Sequence, residues 1–168
     1  MLIYDPALDP YHAAIRFLGI LVLADTDSLE LDALQILDLA LLFPGVIMKA
    51  TLPKEFSSLR KQASTKLNPF RPQPDSKSGI NAIRAIQTTA ASTLAAAGLL
   101  EIENLRKGFV TRTASELPVA IGIAVNNFLA RDFVYRKAIV TAFKTVPLRG
   151  KDGLKHRTNL LDHRYDAL

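Results

Sequence analysis

Residues 95–113, "AAAGLLEIENLRKGFVTRT", decide the fold class. Three alanines close a helix, and Gly98 is a natural C-cap residue. Two short runs follow, Leu99-Leu100-Glu101-Ile102-Glu103 and Phe109-Val110-Thr111-Arg112-Thr113, around the polar, basic turn Asn104-Leu105-Arg106-Lys107-Gly108. Strand-like runs of this length about a glycine-containing turn predict a β-hairpin. A helix running straight into such a hairpin has the shape of a winged-helix-like unit.

Upstream, Ile83, Ile86, Ala90, Leu94 and Ala97 share one helical face from about Ile80. Residues 68–79 hold Pro69, Pro72, Pro74 and Gly79, a composition for a loop. Pro53 opens a helix with Phe56 and Leu59 on one face and Arg60, Lys61 and Lys66 on the other. At the N-terminus Asp9-Pro10 reads as an N-cap followed by proline at the first helical position, with a helix over residues 10–23. Asp27 and Glu30 have the spacing of a capping box. They open a second helix with Leu31, Leu34, Leu37, Leu41 and Leu42 in period, stopped or kinked at Phe43-Pro44-Gly45. Downstream, Ser115 and Pro118 start a helix whose pattern runs through Phe133 to about Phe143, broken by Pro147 and Gly150.

The expected fold is therefore mainly α with a small β-hairpin: a winged-helix-like core with additional N-terminal and C-terminal helices. Residues 1–147 form one domain, and residues 148–168 form a basic tail, partly disordered or ordered on a partner.

The composition narrows function by exclusion. The chain has no cysteine, so it can build neither a disulfide framework nor a thiolate metal site, which fits a cytoplasmic protein. No targeting segment is expected from the N-terminus. The apolar stretches 13–24 and 36–48 fall short of the ~20 residues of a membrane span and read as core helices. Three histidines, His12, His156 and His163, show no metal-ligand spacing, and His12 reads as a packing residue on an apolar helix. Glycines form neither GxGxxG nor a Walker A loop, no GxSxG elbow occurs, and nothing favours a Ser/His/Asp arrangement. No enzyme activity and no cofactor are expected.

Charge carries more information. Residues 1–48 have seven acids and one base, a net of −6, whereas residues 49–168 have a net of +11. Such a split suits two unlike faces, or simply a solvated mixed surface. Arg16 is the only charge in the stretch 13–24, and Asp38 the only one in 36–48. Each is costly to bury alone, and a pair between them neutralises both; either could instead face a partner. Candidate contacts to DNA or a partner are Arg84, Arg106, Lys107, Arg112, Arg149, Lys151, Lys155 and Arg157. The helix before the hairpin offers only Arg84, Gln87, Thr88 and Ser92 for reading bases, a poor set. Protein docking is thus the favoured use of the winged unit, with contact to the DNA backbone as a secondary one.

The opening "YDPALDPYHAAIRFLGIL", followed by "LELDALQILDLALLFPGVI", resembles the N-terminal signature of the middle components of bacterial ABC three-component systems. The matching residues are Tyr4, Asp5, Pro6, Asp9, Tyr11, His12 and Arg16, then Ile36, Leu37, Asp38, Leu41, Leu42, Phe43 and Pro44. The departure is at Leu39-Ala40, where the family pattern has aromatics. The resemblance implies an adaptor with no active site of its own. Its partners would be an SMC/Rad50-like ABC ATPase and an effector, often a nuclease, in a Lamassu-like anti-phage system. The competing reading is a stand-alone winged-helix transcription regulator.

Overall fold

The structure is a computed structural model that describes residues 5–71, 73–74 and 76–161. It is mainly helical with one small two-stranded antiparallel sheet. Asp5 caps a 3-10 turn, Pro6–Leu8, by accepting from the Ala7 amide at 3.0 Å. Asp9 then caps α1 (Pro10–Leu23), its Oδ1 accepting from the Tyr11 and His12 amides at 2.7 and 3.3 Å.

Helix α1 is apolar nearly all round and buried over most of its length, as such a helix must be. It packs against α2 (Leu31–Leu42), α5 (Lys77–Ala96), α7 (Val119–Ala130) and α8 (Phe133–Lys144). Its C-terminal carbonyls meet cations: Lys137 Nζ donates to Leu23 O at 2.7 Å, and Lys144 Nζ donates to Ala24 O. Between α2 and α5 run α3 (Pro44–Lys49) and α4 (Ser57–Ser64).

The sheet departs from the expected hairpin. Strand β1 (Ser28–Glu30) pairs with β2 (Phe109–Thr111) in the register Ser28↔Thr111, Leu29↔Val110, Glu30↔Phe109. The anticipated first hairpin strand is reduced to one bridge, Leu100↔Arg112, and residues beyond it form α6 (Ile102–Arg106). The sequence Ile102-Glu103-Asn104-Leu105-Arg106 turns helically because Glu103 and Arg106 pair at 2.5 Å across one turn and Leu105 folds onto the core. Gly108, at φ +85°, then reverses the chain into β2. Residues 28–30 take the opposite edge of β2 from Leu100, joined by a 2.7 Å bond between Ser28 Oγ and Thr111 Oγ1. A strand between the first two helices, paired with the last strand of the unit, fits the winged-helix-like expectation.

Other local expectations need correction. The capping box at Asp27 and Glu30 does not form, since Glu30 makes no side-chain cap bond and its backbone serves β1. Ser115 does not cap α7, whose N-cap is Pro118. The single helix to Phe143 is two: Asp132, at φ +53°, breaks it between α7 and α8. Residues 148–161 are built into the chain's own fold. They contain α9 (Leu154–Thr158), with Leu148, Leu154 and Leu161 buried.

Helices α1 and α7 approach closely at Gly19, where an added Cβ would lie 2.3 Å from Phe128 Cδ1. Gly19→Ala would gain about 1 kcal/mol of helix propensity, but overpacking of this kind costs about 1–3 kcal/mol. Net destabilisation in urea unfolding is expected, and a Gly19→Ala, Phe128→Leu double variant should recover part of it.

Candidate interaction surface

Arg16 and Asp38 meet in the core. Arg16 Nε donates to Asp38 Oδ1 at 2.5 Å and Nη2 to Oδ2 at 3.1 Å, with side chains 8% and 0% exposed. Arg16 Nη1 reaches back to Pro6 O at 3.0 Å, which ties the 3-10 turn to α1. From α5, Gln87 Nε2 donates to Asp38 Oδ2 at 2.9 Å and to Gln35 O at 3.2 Å.

The network continues outward along α2 at three-residue steps. Gln35 Oε1 accepts from Arg84 Nε at 3.2 Å, and its Nε2 donates to Thr88 Oγ1 at 3.3 Å. Asp32 accepts from Arg84 Nη2 at 3.5 Å and from the buried Lys155 Nζ at 2.9 Å. One polar spine thus joins α1, α2, α5 and α9. Gln87 Oε1 is the one amide oxygen of the spine left buried without a partner among the described residues.

Most of the basic residues read as DNA contacts are engaged internally. Arg84 and Lys155 serve Asp32, Arg149 pairs with Glu30 at 2.6 Å, and Arg157 bonds Thr51 O at 2.7 Å and Asp152 at 3.4 Å. Arg112 donates to Ser115 O at 3.1 Å, and Arg106 pairs with Glu103. Lys107 and Lys151 are exposed. The charge split between the first 48 residues and the rest is therefore in part an internal complementarity. Basic side chains of the later segment neutralise acids of the first, Arg71 with Asp5 at 3.0 Å included. On α5 the outward Thr88, Thr89 and Thr93 hydroxyls donate to carbonyls of their own helix. That face is ill-suited to reading bases.

The residues that carry the family resemblance converge on one face. Tyr4 lies outside the described residues. Tyr11 and His12 are both exposed and stack edge to face, so His12 is a surface residue and not a core one. Phe43 is buried beneath the Arg71 guanidinium, 4.8 Å from its ring centroid, and Pro44 opens α3. Pro6, Tyr11, His12, Arg16, Leu41 and Leu42 line a groove of about 430 Å³ between α1, the end of α2 and α7. A second hollow of about 370 Å³ adjoins it, sharing Leu41, Leu42, Arg71 and Arg136, and runs on to Pro44, Lys66 and Asp132.

Three features of this face escaped the sequence reading. Arg71 leaves the proline-rich loop to bond Asp5 and Leu42 O. Arg136 lies 4.1 Å over the Phe128 ring and donates to Phe128 O, and burial pulls its pKa below the guanidinium range. Asp132 is held below the ordinary carboxylate range by its 2.9 Å hydrogen bond from Lys66. Beside them Tyr135 is buried, which pushes its phenol up to about 12, with the charge of Asp132 adding to the effect.

Helix α7, "VAIGIAVNNFLA", carries no charge, yet only Val125 is buried. Val119 is 80% and Ile123 56% exposed. Its lack of any charged face was the available signal, because a helix apolar on every side is ordinarily covered.

No group of residues that could hold a metal is present among the described residues, and no helix there is long and apolar enough to cross a membrane. What the fold displays is a polar-pinned helical core with exposed apolar side chains on α7 beside a groove. The family model for ABC-three component (ABC-3C) system Middle Component 5 matches residues 2–166, and the chain belongs to that family. No curated protein and no solved structure matches it. Membership of a middle-component family supports an adaptor role and partnership with the other components of such a system.

The buried pair makes a direct prediction. Asp38→Ala leaves the Arg16 charge uncompensated and should cost about 3–5 kcal/mol, whereas combining it with Arg16→Met should recover most of that loss. Denaturant titrations of both single variants and the double test this. Strictly additive losses would show that the two charges are not coupled.

Proposed function

We propose that this chain is the non-enzymatic adaptor of a Lamassu-like anti-phage defence complex. It docks an SMC/Rad50-like ABC ATPase and an effector, a nuclease, and works in the cytoplasm. The observation that carries the reading is the uncovered face of α7. This twelve-residue helix has no charge; one side of it packs on the core through Val125 and Phe128, while Val119 and Ile123 on the other stand exposed. An apolar surface of this kind marks a protein contact. Phe70, 92% exposed in the proline-rich loop, and Val134, 78% exposed on α8, add apolar surface beyond α7.

Two contacts to unlike proteins suit a middle component better than a self-contained regulator. The regulator reading has little to stand on, because the hydroxyls of α5 are satisfied by its own backbone and Arg84 is held by Gln35 and Asp32. DNA backbone contact by this subunit would fall to Arg106, Lys107 and Lys151 and would be secondary.

Co-expression with the ATPase and effector of its own system, followed by affinity purification at low salt, tests the proposal. The parent chain should retain at least one of the two. Val119→Asp, Ile123→Asp should lose about tenfold or more of that retention, as expected for removing a few kcal/mol at an interface centre, while its far-UV circular dichroism and melting stay unchanged. Retention unaltered by the double variant would remove α7 as the docking face. A parent chain that co-purifies with neither component would remove the adaptor role itself.

A further inference from the structure

The groove beside α7 has a chemistry distinct from the apolar outer face of that helix. Five cations border it and the hollow that adjoins it: Arg16, Lys66, Arg71, Arg131 and Arg136. Three are matched by carboxylates, Arg16 by Asp38, Arg71 by Asp5 and Lys66 by Asp132. Arg131 and Arg136 have no ion-pair partner among the described residues. The groove therefore carries a surplus of positive charge, while Leu41, Leu42 and Phe128 supply apolar wall.

The arginines are also pre-set. Arg71 is spread over Phe43 and Arg136 over Phe128, with centroid distances of 4.8 and 4.1 Å. A guanidinium stacked on an aromatic ring has little side-chain entropy left to lose on binding; that of Arg71 already serves Asp5 and Leu42 O, whereas Arg136 commits Nη1 alone, to Phe128 O. Burial disfavours the charged form of Arg136; the charge of Asp132 offsets part of that cost, and no carboxylate among the described residues pairs with it at contact distance. A carboxylate entering the groove would.

We propose that this groove is the docking site for an acidic, aliphatic-bearing peptide segment of a partner protein. Carboxylates of that segment engage Arg131 and Arg136, and its aliphatic side chains rest on Leu41, Leu42 and Phe128. A nucleic-acid backbone fits less well. Phosphates are met by exposed, extended rows of cations, whereas here Arg136 is half-buried and the walls between the charges are apolar. The outer stripe of α7 adjoins the groove through Ala124 and Asn127, so one partner could cover both. The inference rests on the adaptor reading and names the chemistry of the partner's contact.

A photo-crosslinking residue, p-benzoylphenylalanine, at the position of Asn127 in the full chain, co-expressed with the two other components of its system, tests it. Cross-links should map to a partner segment in which Asp and Glu outnumber Lys and Arg. Arg131→Glu, at an exposed position, should lower retention of that component about tenfold or more, the scale of a lost charge-assisted contact. Reversing one acid of the mapped segment to Arg should restore retention. Arg106→Glu, Lys107→Glu on the winged unit should leave it unchanged. Cross-links to nucleic acid, to a second copy of this chain or to its own residues 162–168 would overturn the proposal. So would a complex whose retention is indifferent to Arg131→Glu; in both cases the adaptor role stands. If the parent chain retains neither component, the adaptor role and this inference fall together.

Discussion

Everything in this fold is referred to the ion pair between Arg16 and Asp38. Taking two charges out of water is costly, and apolar side chains of equal volume hold a core at least as well. The contribution of the pair is best understood as orientation. Helix α1 is apolar nearly all round and buried over most of its length, so hydrophobic burial distinguishes only weakly between rotations about its axis. One bidentate guanidinium, whose other end is held by Pro6 O, does distinguish them. A lone polar group fixing the register of an otherwise uniform apolar seam is the best-attested use of such burial.

The rotation so fixed has consequences at both ends of α1. It turns Tyr11, His12 and Ile15 toward the groove, and it sets Gly19 against Phe128, where only a residue without a side chain lets α7 come so near. Gln87 extends the constraint to α5, since its amide bridges Asp38 and the Gln35 carbonyl. The helix that leads into α6 and β2 is thereby indexed to the helix that supports the groove. A displacement of α5 is felt at the Asp38 carboxylate, and so at Arg16.

Much of this was legible in the sequence, and the limits have physical causes. The bounds of α1 follow from Asp9-Pro10 and the apolar run, because a cap and a proline act locally. The two core charges were conspicuous because each stands alone in an apolar stretch. The pairing of β2 was misread because its partner lies about eighty residues earlier in the chain, and a three-residue strand carries no periodicity of its own. The break at Asp132 was missed because the apolar pattern runs through it; a left-handed residue held by Lys66 is a tertiary effect. Arg71, Arg131 and Arg136 went unnoticed for a related reason. A cation gives no sign in the sequence of which carboxylate will reach it, and the excess at the groove exists only after Asp5, Asp38 and Asp132 have found partners.

That residual charge bears on how such a subunit would meet the other components of its system. Had the acidic first segment and the basic remainder been two exposed faces, association would have been steered over the whole surface and strongly weakened by salt. Folding instead cancels part of the contrast internally, through Asp5, Glu30 and Asp32. What is left at the groove is local: two arginines without an ion-pair partner among the described residues, beside a helix with no charge at all. Apolar surface supplies most of the attachment in a protein contact, and a few buried or half-buried charges supply discrimination between partners. With the two side by side on α7 and its groove, the proposed partner would be held and recognised at a single face, away from β2 and α6.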